Sequence, residues 1–138
     1  MIRYKKLPDD ILQKIDSLTG FFKKDSNIIF AYLFGGLLKK RRSPLSDIDI
    51  ALYLKDTGKS DYLELFGKIS GLLNTDEVDL VILNTAPISL AGRILQGRKV
   101  LIDKNPFLRH KYESLTLRKY FDFKIKECNI LKRRYGIG

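Results

Sequence analysis

Tryptophan is absent from this chain, and cysteine and histidine occur once each, as Cys128 and His110. A lone cysteine closes no internal disulfide, and without companions it forms no zinc site. Cys128 is expected to be a small buried thiol in a cytoplasmic protein. His110, between Arg109 and Lys111, has no His, Cys or Ser constellation around it and is expected at the surface. Long apolar runs are also missing. No stretch reaches the roughly 18 residues that a membrane span needs. The N-terminus, MIRYKKLPDD, carries charge with no apolar segment behind it, so no signal peptide is expected. Internal repeats, low-complexity tracts and Pro/Ser-rich linkers are absent too. Acidic residues are scarce relative to basic ones: 16 Asp and Glu against 26 Lys and Arg leave a net charge of +10. Such a surplus implies an acidic partner, whether nucleic acid, a nucleotide or an acidic protein surface.

What is present is the composition of a globular protein. Of the 138 residues, 44% are apolar, enough for one domain with a real core. That domain is expected to span 1–138, with a core over about 8–104 and a helix over about 105–135. Residues 8–23 predict a helix opened by Pro8, with Asp9 and Asp10 in its first turn. Ile11, Ile15, Leu18 and Phe22 recur on one face of it. NIIFAYLF (27–34) reads as a buried strand ended by Gly35 and Gly36. DIDIALYL (47–54) alternates, with Ile48, Ile50, Leu52 and Leu54 on one side and Asp47, Asp49, Ala51 and Tyr53 on the other.

Beyond a turn at KDTGKS, residues 60–73 predict an amphipathic helix and 77–84 another short buried strand. A helix closed by Gly97 follows, then a strand at 98–103. From Pro106 the pattern stays helical to about residue 135. Leu117, Phe121, Ile125, Cys128, Leu131 and Tyr135 form a stripe there at steps of three and four. Strands alternating with helices predict an α/β or α+β domain on one small sheet.

The segment FGGLLKKRRSPLSDIDIALYL (34–54) carries the chemistry. Residues two apart in a strand share a face, about 7 Å from one another. Asp47 and Asp49 therefore aim into the same space, where two unpaired carboxylates would repel and lose hydration. A divalent cation removes both problems, and Mg²⁺ is commonly held by one or two carboxylates together with substrate phosphates. Asp79, between Val78 and Leu80 in the next apolar strand, can complete a three-carboxylate cluster able to hold two metals if the strands are neighbours. The competing reading is a solvent-facing strand start and a turn cap. Gly35 and Gly36 allow close backbone approach to a ligand, and a helix start beyond them would offer N–H groups to phosphate. A plain tight turn explains a glycine pair equally well. Lys39, Lys40, Arg41 and Arg42 read as a solvated basic loop from which one or two side chains can face a triphosphate.

Gly35-Gly36, ten residues, then Asp47-Ile48-Asp49 resembles the G-S-x10-D-x-D signature of minimal nucleotidyltransferases in the DNA polymerase β-like superfamily. VDLVILNTAPISLAGRILQGRKVLID resembles the family segment carrying the third carboxylate. The basic-aromatic tail with RKYFDF resembles the C-terminal helix of the family's antitoxin branch. The resemblance covers roughly residues 27–133. It implies an α+β fold, a small mixed sheet flanked by helices with a long C-terminal helix. It further implies similarity to MntA-type antitoxins, which transfer AMP from ATP to a tyrosine of a HEPN-domain ribonuclease toxin. Carried onto this chain, Asp47 and Asp49 would bind two Mg²⁺ ions, and Asp79 would be the third ligand and the base. Gly35 and Gly36, with Lys39, would hold the nucleotide.

The family serine is Gly36 here, so one hydroxyl contact to phosphate is missing. A neutral hydrogen bond is worth about 1 kcal/mol, so weakened activity is expected. Two other readings stand beside the active transferase: a non-catalytic antitoxin that neutralises by docking, and a nucleic-acid-binding module. For the latter, residues 105–138 hold nine Lys or Arg against three Asp or Glu, interleaved with aromatics that can stack bases.

Overall fold

The computed structural model describes residues 11–35 and 48–136. Helix α1 (Ile11–Lys24) leads into strand β1 (Ile28–Phe34), and strand β2 (Ile48–Leu54) is followed by helix α2 (Tyr62–Leu73). Strand β3 (Val78–Ile82), helix α3 (Ile88–Gln96), strand β4 (Lys99–Asp103) and the 30-residue helix α4 (Pro106–Tyr135) complete the order. The four strands form one sheet in the order β3-β2-β1-β4. β1 runs antiparallel to both β2 and β4, whereas β2 and β3 are parallel. This is the mixed, helix-flanked α+β architecture that the resemblance implied.

The alternation in the strands sorts side chains into two cores. Ile48, Ile50, Leu52 and Leu54 of β2 meet Ile15, Leu18 and Phe22 of α1 and Leu65, Ile69 and Leu73 of α2. On the opposite face Phe30, Tyr32 and Ala51 pack with Ile94 and Leu95 of α3, and Tyr112 and Leu117 of α4 lie against them. A bulge between Ile28 and Phe30 shifts the β1–β2 register by one residue. Phe30 thereby joins Tyr53 in a stacked pair with ring centroids 4.7 Å apart. An extra residue on one strand re-aims the side chains beyond it, so Ile28 and Phe30, two apart, enter opposite cores.

Three local expectations change. Strand β3 stops at Ile82, and Leu83–Thr85 form a 3-10 turn where the hydrophobic run had predicted strand to residue 84. The cause is Asn84: its side chain accepts from the Leu54 amide at 2.9 Å and donates to the Leu54 carbonyl at 2.8 Å. A side-chain amide thus takes the place of a backbone rung, and the strand need not continue. Cys128 is exposed rather than buried. So are Phe121, Ile125, Leu131 and Tyr135 of the predicted stripe, because α4 outruns the surface that it packs on. The side of α4 that does pack carries Glu113, Thr116 and Tyr120.

The start of α4 is held by a buried polar network. Asn105 caps it, accepting from the Leu108 amide at 3.1 Å. Glu113 accepts from the Tyr32 hydroxyl at 2.6 Å, from Arg98 Nε and Nη2 at 3.0 and 2.8 Å, and from Arg109. Arg109 also pairs with Asp103 at 2.6 Å. Further on, Gly92 of α3 lets the Tyr120 ring lie against the helix backbone, where a Cβ would strike that ring. These contacts fasten α4 to β1, to β4 and to α3.

Candidate active site

β2 and β3 lie side by side in parallel register with Asp49 opposite Asp79. Adjacent strands are about 4.8 Å apart, and paired residues in a parallel ladder share a face. The two carboxylates therefore leave the sheet on the same side, that of Ala51, Tyr53 and Val81. Both acids stand near the N-terminal ends of their strands. Asp49 is half-buried and Asp79 exposed, so the pair straddles the boundary between core and solvent.

The end of β1 closes the third side. Phe34 pairs with Asp49, and Gly35 follows at once with φ +76°. That left-handed conformation disfavours any residue with a Cβ. A Cβ on Gly35 would also land on the Asp49 carboxylate, nearest its Oδ2. The glycine is required twice over, by its own backbone and by the acid packed against it. Asp47, Gly36 and Lys39 lie outside the described residues. Among the described residues no group of three His, Cys, Asp or Glu side chains is close enough to hold a metal. Asp49 and Asp79 supply hard oxygen donors from two strands, and Gly35 stands against Asp49.

The buried charge network of the fold centres on Glu113. Burial pushes its carboxyl up, but hydrogen bonds from Tyr32, Arg98 and Arg109 and the charge of Arg98 outweigh that and hold it below 4.5. The Tyr32 hydroxyl moves the opposite way, far above its usual value, through burial and then through its bond to Glu113. Tyr32 lies two residues before Phe34, so the network anchors the strand that delivers Gly35. Sequence reading missed this cluster. The available signal was Arg109 and Glu113 at i and i+4 on a helix face that is otherwise packed. His110 is exposed, as expected.

A cavity of about 250 Å³ lined by Leu54, Thr57, Ser60, Tyr62, Leu65, Ile82 and Thr85 opens at the other ends of β2 and β3. It contains no carboxylate and is separate from the Asp49–Asp79 pair. No helix among the described residues is long and apolar enough to cross a membrane.

A mixed sheet that sets two acids on neighbouring strands, with a left-handed glycine beside them, is the arrangement of a phosphoryl- or nucleotidyl-transfer domain. The family model of Polymerase beta, Nucleotidyltransferase matches residues 16–107, about two thirds of the chain. The chain belongs to that nucleotidyltransferase family. Among solved structures it is similar to a toxin–antitoxin with AMP-PNP, at 24% identity and a TM-score of 0.70, covering 87% of this chain and 96% of the other. It is also similar to a chain from a complex of tri-AMPylated Shewanella oneidensis HEPN toxin with MNT antitoxin, at 23% identity and a TM-score of 0.67 over 88% and 96%. A substituted MntA–HepT toxin–antitoxin matches at 27% identity with a TM-score of 0.64, over 88% and 96%. No curated protein sequence matches the chain.

Proposed function

We propose that this chain is the antitoxin of a HEPN toxin pair and transfers AMP from ATP to a tyrosine of that toxin. One observation carries the reading: Asp49 and Asp79 face each other in register beside Gly35, in a chain of the nucleotidyltransferase family. Similar structures named as toxin–antitoxin pairs, one with AMP-PNP and one with AMPylated toxin, support the choice of substrate and partner.

In the reaction the tyrosine oxygen attacks the α-phosphorus of ATP. The bond from that phosphorus to the bridging β-oxygen breaks, and pyrophosphate leaves with its electron pair. Asp79, exposed at the rim, accepts the proton of the incoming hydroxyl. Asp49 supplies carboxylate oxygens whose position the sheet sets, and Asp47, two residues before it in sequence, is the second acid of the motif. When bound there, Mg²⁺ would neutralise charge developing on the phosphate oxygens and orient the triphosphate. Gly35 leaves room beside the Asp49 carboxylate, and Gly36 and Lys39, which follow it in sequence, are assigned to the triphosphate by the family resemblance alone. Water is kept from the rear of the site by Phe34, Val81 and the second core.

Calorimetry with Mg²⁺ and ATP on wild type, Asp49→Asn and Asp79→Asn, joined to transfer of labelled AMP to purified toxin, tests this. Wild type should bind and transfer, Asp49→Asn should lose Mg²⁺-dependent binding, and Asp79→Asn should lose transfer. Equal behaviour of all three would remove the site. Toxin neutralised with no AMP incorporated would instead assign the chain to the docking-only antitoxins.

A further inference from the structure

Helix α4 is two objects in one. Up to Tyr120 it packs on α3 and the sheet; from Phe121 to Tyr135 every residue is exposed. That free segment is about 21 Å long at 1.5 Å per residue. It is not a plain solvated end, because large apolar side chains crowd it: Ile125 is 59% exposed, Ile130 57% and Tyr135 65%. At 100° per residue, Phe121, Ile125, Cys128, Leu131 and Tyr135 fall within an arc of about 120°, one continuous seam. Lys132 lies within that seam, with Lys124 towards one border and Arg118 beyond the other. Residues 118–135 carry seven Lys or Arg against two Asp or Glu.

Seam and charge together define the occupant. A second copy of this chain would set two segments of net +5 side by side at 8–10 Å, about one Debye length at physiological salt, and they would repel. Nucleic acid would answer the charge, but the seam's two aromatics, Phe121 and Tyr135, stand at its ends about 21 Å apart, and Ile125, Cys128 and Leu131 between them offer bases nothing to stack on. An apolar groove bordered by acidic side chains answers both features, in the manner of helix-in-groove recognition. We propose that residues 121–135 of α4 are the arm by which this chain holds its HEPN toxin, laid in an apolar, acid-rimmed groove of the toxin surface. The assignment rests on the toxin partnership proposed above, and it names the surface that makes it. Phe123 and Ile130, on the opposite side of the helix and also exposed, place apolar contacts on a second side, so the groove embraces the arm.

The test is titration calorimetry of the full chain against purified toxin without nucleotide, so that binding is read apart from AMP transfer. Ile125→Asp with Leu131→Asp should weaken binding a hundredfold or more, and Lys124→Glu with Lys132→Glu about tenfold. Circular dichroism and the thermal melt should match wild type, since all four positions are exposed. Unchanged affinity in both double variants would overturn the arm while leaving the toxin partnership standing. Light scattering that finds wild type dimeric and the aspartate variant monomeric would overturn it in favour of self-association. Loss of binding to a labelled RNA with toxin affinity intact would overturn it in favour of nucleic acid. Wild type that fails to bind toxin would overturn the partnership itself, and the arm with it.

Discussion

At Gly35 a single hydrogen decides whether the site exists. A methyl group there meets the Asp49 carboxylate, and the backbone at φ +76° disfavours it further by roughly 1–2 kcal/mol. With β2 held between β1 and β3, the clash is relieved by displacing the Asp49 carboxylate from its place, while the backbone strain at residue 35 remains. Gly35→Ala should therefore fold normally by circular dichroism and yet lose at least about a hundredfold in AMP transfer, since a misplacement near 1 Å costs that much. The neighbouring glycine predicts the opposite sign. Gly36 occupies the place where the resembling family presents a serine hydroxyl to phosphate. A hydrogen bond to a charged group is worth about 1.5–3 kcal/mol. Gly36→Ser should raise single-turnover AMP transfer about tenfold, as measured with labelled ATP and purified toxin. A slower, folded variant would show that this loop holds phosphate differently.

Among the elements, α4 depends most on one side chain. Glu113 holds Tyr32 of β1, Arg98 before β4 and Arg109 of its own helix. Replacing it with glutamine keeps the shape but takes the carboxylate from Arg98 and leaves Arg109 with Asp103 alone. The expected loss is about 2 kcal/mol at neutral pH in urea unfolding, because hydrogen bonds to charged groups are the stronger kind. The pH dependence has a definite sign. The Glu113 carboxyl is held below 4.5 in the folded chain, so the unfolded state takes up its proton first as pH falls. Its contribution is complete above that value and is lost as pH falls through the lowered one. The stability gap between wild type and Glu113→Gln should accordingly be widest near neutral pH and shrink below about pH 4.5. A gap constant down to pH 3 would mean that the network stabilises through shape alone.

For the molecule as a whole, the buried residues and the proposed toxin-binding arm lie in different parts of the chain. Both cores are built from residues up to Tyr120, and nothing described beyond it is buried. A chain ended after Phe123 should unfold within about 1 kcal/mol of wild type, since surface changes outside caps, cores and networks have small effects. The same truncation should abolish tight toxin binding if the arm is the holding surface. Parallel denaturant melts and calorimetry separate the two outcomes. A large drop in melting temperature would show that the exposed half of α4 supports the first half.

The sequence by itself determined the elements and their faces. Strict alternation in DIDIALYL fixed which side of β2 would carry Asp49, and helical spacing fixed the buried faces of α1 and α2, because those patterns follow from local backbone geometry. The spacing from Gly35-Gly36 to Asp47 and Asp49 made the family recognisable, since a motif of fixed residues at fixed separation is legible without any structure. Asn84 ended β3 early because its side chain met the backbone of Leu54, 30 positions away, a meeting that no local pattern records. Glu113 escaped notice for the same reason: an acid on a helix reads as solvated until Tyr32 and Arg98 are brought to it. Only the tertiary structure showed that Asp79 stands opposite Asp49, because strand order is a property of the sheet and not of either strand. It also decided the environment of Cys128 and the seam around it: an apolar stripe is buried only where there is a surface to cover it, and α4 extends past its own.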